Sequence, residues 1–148
     1  VNILLELLAA FIIVITFGSI FQAPKKSLWL LGLTGTICWG SFIILEQLTS
    51  YNVIIASFIS SVIVGICSEL FARIMKMPVT IFVIAGIIPL VPGVPAYNTM
   101  LFILQGEYIK GLEKGINTLM IAGAIAFAIA IVGAGARYHK EFQKKINS

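Results

Sequence analysis

Five stretches of this 148-residue chain carry no Asp, Glu, Lys or Arg: 7–24, 27–45, 47–68, 77–106 and 115–136. A helix needs about 20 mostly apolar residues to cross the hydrocarbon core of a bilayer, so each stretch can span. Composition agrees, with 59% hydrophobic and 11% charged residues and a mean hydropathy of +1.06, against about 45–50% and about 25% in soluble domains. Folded in water, a chain of this length would bury only about 70% of its surface and leave large apolar patches bare, which excludes a water-soluble monomer. The expected fold is an all-α integral membrane protein of about five transmembrane helices. It forms a single transmembrane domain over 1–148, with spans at 3–22, 28–45, 50–72, 78–105 and 116–136 and a cytoplasmic basic tail at 137–148. The first span lacks a basic leader and a small-x-small cleavage site, and it reads as a retained helix rather than a signal peptide.

Charge sets the orientation. If Lys25 and Lys26 face the cytoplasm, alternate crossings put Arg73, Lys76, Arg137, Lys140, Lys144 and Lys145 there too, leaving Lys110 and Lys114 outside beside Glu107 and Glu113. That satisfies the positive-inside rule with the N-terminus outside and the C-terminus cytoplasmic. The net charge of +4 then reports topology and contact with anionic lipid rather than nucleic acid. The inventory also speaks against enzymology. There is no Asp, the single His139 lies in the charged tail, and every carboxylate except Glu69 falls at a segment end, loop or tail. A Ser-His dyad, a paired-Asp site, a metal site and a phosphate-binding loop all lack their residues, so no cofactor is expected. Cys38 and Cys67 read as small apolar residues inside spans.

The fourth stretch cannot be one continuous helix. Pro89, Pro92 and Pro95 follow one another at three-residue spacing with Gly93 among them. Each lacks an N–H and its ring collides with the carbonyl four residues back, so the carbonyls of Ala85, Ile88 and Val91 are expected to lose their donors. A helix starting near Pro78 brings Ile88 about 15 Å into the membrane at about 1.5 Å per residue, near the middle of a core about 30 Å thick. Non-helical backbone at that depth must be buried in protein or line a watery cavity, and discontinuous helices at the midplane recur in transporter sites. A second half-helix beginning at Ala96 would present its N–H groups, the Tyr97 and Thr99 hydroxyls and the Asn98 amide to a carboxylate. The blander reading is a packing kink, with Asn98 and Thr99 re-satisfying the freed backbone.

At the end of the third span Glu69 and Arg73 stand i and i+4 with the acid first, the favourable order for a helical ion pair. They are either an end-of-helix pair or a gate and proton-coupling pair. Ser57, Ser61 and Gly65 continue the same step upstream, a small polar strip suited to a neighbouring helix or a water path. Small faces recur at Gly32, Thr34, Thr36 and Gly40, and at Ala122, Ala126, Ala130 and Ala134. Glu107 to Lys114 reads as a solvated turn or interfacial helix, Trp29 as an interface anchor, Trp39 as a packing residue, and His139 as solvated.

The run Ser68-Glu69-x-x-Ala72-Arg73-x-x-Lys76-x-Pro78, followed by Ile87-Ile88-Pro89-Leu90-Val91-Pro92-Gly93 and Tyr97, resembles the threonine/serine exporter (ThrE) family. More narrowly it resembles the small, YjjB-like membrane subunit of the split two-component form. The resemblance implies secondary export of small hydrophilic carboxylates across the bacterial inner membrane: L-threonine and L-serine, and dicarboxylates such as succinate in some members. It also implies a larger ThrE-family membrane subunit as partner. Pro89, Pro92, Gly93, Pro95, Tyr97, Asn98 and Thr99 are the candidate substrate-binding residues, and Glu69 and Arg73 the candidate gate or coupling pair. No internal duplication is visible, so the partner or a homo-oligomer would supply the symmetry common in transporters. A non-transporting scaffold for another membrane protein stays open as the alternative.

Overall fold

The computed structural model describes residues 2–49 and 52–146, with side chains as far as Tyr138. Ser50 and Tyr51, at the start of the third expected span, lie outside the described residues, as do the side chains of His139, Lys140, Lys144 and Lys145. Among the described residues all regular structure is helical: α1 Ile3–Ile20, α2 Leu28–Leu48, α3 Val53–Met75, α4 Val79–Gly86, α5 Gly93–Leu104 and α6 Tyr108–Ile146, with short 3-10 turns at Lys25–Ser27 and Ile88–Leu90. Among the described residues four helices are long and apolar enough to cross a membrane, and there are five if the bent pair 79–90 and 93–104 is one span.

Helices α1 and α3 end by the same device. Gln22 and Lys76 take left-handed conformations, φ 56° and 53°. The next N–H reaches back five residues, from Ala23 to the Gly18 carbonyl at 2.9 Å and from Met77 to the Ala72 carbonyl at 3.0 Å. This satisfies the last carbonyls, and Pro24 and Pro78, which follow at once, forbid the helix to continue. At the other end of α3 the Asn52 side-chain oxygen caps the helix by accepting the Ile55 N–H at 3.3 Å.

The interior is built from small and hydroxyl-bearing residues. Ala56, Ser57, Ser60, Ser61, Val64, Gly65, Ser68 and Ala72 are the buried face of α3, while large residues such as Ile66, Leu70 and Ile74 on the same helix are exposed. Lipid is as apolar as leucine, so helices gain nothing by hiding leucine from it. Association comes instead from close packing and hydrogen bonds. On α1 the buried positions Ala10, Val14 and Gly18 form a single stripe. It meets Leu31, Gly32 and Gly35 of α2, where a Cβ on Gly32 would run into the Phe11 ring and one on Gly35 into Val14.

Of the two readings of the connection between the last two spans, a solvated turn or an interfacial helix, the structure takes the helix. The turn is confined to Gln105–Glu107, around Gly106 at φ 81°, and residues 108–114 already belong to α6. That helix runs 39 residues to Ile146, about 58 Å, and takes in the stretch read as a tail. The cause is a second glycine pair. Gly111 and Gly115 face α5, where an added Cβ would come within 2.8 Å of Ile103 and 3.1 Å of Thr99. The close contact draws the polar stretch into the helix, and Lys110 pairs with Glu107 at 2.6 Å beside it.

Candidate functional site

The broken span organises the centre of the molecule. Helix α4 packs against α3, α2 and α1, whereas α5 packs chiefly against α6 and has no buried residue. The two halves meet at a bend of 51°. The break covers Ile87–Pro92, and α5 begins at Gly93 rather than at Ala96. Pro95 therefore falls in the first turn of α5, where the missing N–H is one that a helix leaves unpaired in any case.

Two of the three carbonyls expected to be freed are bonded again. The backbone tightens into a 3-10 turn, and Val91 N–H reaches the Ile88 carbonyl at 3.2 Å and Gly93 N–H the Val91 carbonyl at 2.7 Å. Ile87 N–H, capping α4, is directed at Val83 and Ala85. A three-residue step replaces the four-residue one across the break. A backbone group left unpaired in hydrocarbon costs several kcal/mol, so a break of this kind needs protein, water or a ligand beside it.

A cavity of about 240 Å³ lies at the break, lined by Pro89 to Pro95 together with Trp39, Phe42, Val53, Ser57 and Ile121. Trp39 and Phe42 form one wall, their rings stacked with centroids 5.3 Å apart. Pro89, Pro92, Gly93 and Pro95 thus line one space. Tyr97, Asn98 and Thr99 lie beyond it. Tyr97 is 66% exposed, and the Thr99 hydroxyl donates to the Pro95 carbonyl at 2.9 Å while its methyl faces Gly115.

On the other side of Trp39 and Pro89 a second cavity, about 200 Å³, is lined by Glu6, Ala9, Ala10 and Ile13 of α1 with those same two residues. The Trp39 indole N–H donates to Glu6 Oε2 at 3.1 Å. Sequence reasoning placed Glu6 at a span end and Trp39 in the packing. The signal was present, because Glu6 stands four residues before Ala10 on the stripe that continues to Val14 and Gly18.

Glu69 occupies a third cavity, about 460 Å³, between α3, α4 and α6, lined also by Gly65, Val79, Thr80, Val83, Ile84, Ile129, Val132, Gly133 and Arg137. Its contact with Arg73 is loose, 3.8 Å, with the Arg73 side chain 47% exposed. The cation that shares the cavity with Glu69 is Arg137, whose Nε donates to the Gly133 carbonyl at 3.2 Å. Between this cavity and the one at the break, the buried face of α3 carries Ser60, Ser61 and Ser68. The hydroxyls of Ser60 and Ser68 have no hydrogen-bond partner. Among the described residues no cluster of His, Cys, Asp or Glu is arranged to hold a metal ion.

A discontinuous helix beside cavities in a bundle of small-residue helices is an architecture found in multi-pass membrane proteins of the transporter class. The family model described as threonine/serine exporter, ThrE, matches residues 6–134, and the chain belongs to that family. No solved structure matches it.

Proposed function

We propose that this chain is the small membrane subunit of a secondary exporter of small hydrophilic carboxylates, with L-threonine and L-serine first and dicarboxylates such as succinate as the further class. It sits in the bacterial inner membrane as one transmembrane unit, N-terminus outside and C-terminus cytoplasmic. The observation that carries the reading is the break in the fourth apolar stretch beside the cavity lined by Pro89, Pro92, Gly93 and Pro95. Non-helical backbone inside a membrane-spanning stretch must be buried in protein or line a watery cavity, and such breaks recur in transporter sites.

In this reading the substrate moves between the cavity holding Glu69 and Arg137 and the cavity at the break, along the hydroxyl face of α3. Glu69 gates the cytoplasmic entrance, with Arg137 as its facing charge and Arg73 outside it. Tyr97, Asn98 and Thr99 complete the site only when the far side of α5 is covered. The larger ThrE-family subunit docks there, over the exposed face of Val94, Tyr97, Met100 and Leu104.

Efflux of labelled threonine, serine and succinate from cells expressing this chain, with and without the larger subunit, tests the proposal. Export only with both supports the two-subunit exporter and names the substrate. Export by this chain alone puts the path within its own oligomer, and no export of any of the three overturns the assignment in favour of a scaffold.

A further inference from the structure

The Glu6–Trp39 hydrogen bond fixes the depth of a carboxylate. Trp39 lies eleven residues beyond Leu28 and nine before Leu48, about 17 Å and about 14 Å from the two ends of α2. Glu6 is bonded to it, and Pro89, which lines the same cavity, lies ten residues beyond Val79, a comparable depth on the broken span. The sequence alone leaves Glu6 near the end of a span. In the folded bundle it faces the middle of α2 and the turn of the broken span.

A carboxylate at that depth is a functional group until shown otherwise. Its surroundings supply no counter-charge. Ala9, Ala10 and Ile13 come from its own helix, Trp39 from α2 and Pro89 from the 3-10 turn. Helix α4, which also packs against α1, has no ionisable residue. On α2 the nearest carboxylate, Glu46, is two helical turns further along, and Cys38 is buried in a separate cluster. Neither of the ion pairs formed among the described residues involves Glu6.

An indole N–H only donates, so Trp39 bonds equally to a carboxylate oxygen and to the carbonyl oxygen of the acid, and it cannot take the proton itself. We infer that Glu6 is the proton-binding residue of the transport cycle, and that Trp39 positions it beside the break. A proton from the outer solution forms an O–H bond on the Glu6 carboxylate, which becomes neutral. That bond breaks when the site opens to the cytoplasm, where the proton leaves as the substrate enters the break.

This inference rests on the transport reading, and it moves coupling from Glu69 to Glu6. The test uses the chain together with its larger subunit in two assays: net threonine efflux driven by an imposed proton gradient, and exchange of labelled for unlabelled threonine with no gradient. E6Q, which keeps the acceptor for Trp39 but takes no proton, is expected to lose gradient-driven efflux and its pH dependence while retaining exchange. E6D retains both, and W39F alters the pH dependence of the gradient-driven rate. Unchanged gradient-driven efflux in E6Q overturns the inference. So does loss of exchange as well in an E6Q protein that still co-purifies with the larger subunit, since Glu6 would then be a substrate ligand. A wild-type pair that transports in neither assay overturns the transport reading and this inference with it.

Discussion

Single residues decide how closely the helices of this bundle approach. Gly35 is covered by Val14, and a Cβ there would also stand 3.2 Å from the Ala10 carbonyl oxygen, whereas Gly123 has nothing within 4 Å of where its Cβ would be. Gly35→Ala is therefore expected to lower stability by about 1–3 kcal/mol, the usual range for overpacking, and Gly123→Ala to be neutral; thermal unfolding in detergent measures both. At the same scale, Glu69 and Arg73 illustrate what spacing can and cannot say. Their i, i+4 relation is real, but the half-exposed Arg73 makes only a 3.8 Å contact, and exposed pairs contribute about 0–1 kcal/mol. Arg73→Ala is expected to leave efflux near the wild-type rate, while Glu69→Gln and Arg137→Ala each slow it. An equal loss in all three would return Arg73 to the gate.

At the scale of elements, the three prolines are not equivalent. Pro89 sits in the 3-10 turn and Pro92 caps α5, whereas Pro95 lies inside the first turn of α5. Pro95→Ala is expected to leave the bend and the stability unchanged, read by thermal unfolding in detergent. Replacing Pro89 and Pro92 together by alanine restores two helical N–H groups, straightens the span and abolishes efflux, while co-purification with the larger subunit persists. The existence of the break was legible in the sequence because proline acts locally, through one missing donor and one ring clash. Its extent was not. Where the helix resumes depends on whether the chain tightens to a three-residue step, and that depends on how α4 and the turn pack on α1 and α2.

Across the whole molecule, the bundle is unevenly covered. Helix α3 is surrounded by α2, α4 and α6, while α5 packs chiefly on α6. A cysteine at Tyr97, in a chain whose Cys38 and Cys67 are replaced by alanine, is expected to cross-link to the larger subunit. One at Ile12, 62% exposed on α1, is not. Cross-linking from Ile12 but not from Tyr97 would place the partner on the opposite side.

The sequence by itself determined the helical membrane class and the interruption of the fourth apolar stretch, because lipid punishes charge and unpaired backbone wherever they occur and proline acts on its own neighbours. It also carried the motif by which the chain belongs to the threonine/serine exporters. Only the tertiary structure decided that Glu6 and Trp39 meet beside Pro89, that Arg137 rather than Arg73 shares a cavity with Glu69, and that Thr99 faces Gly115. Each joins residues distant in sequence, through crossings set by glycine and alanine contacts between helices. Periodicity can name the face a residue occupies, but it cannot say which other face will be laid against it.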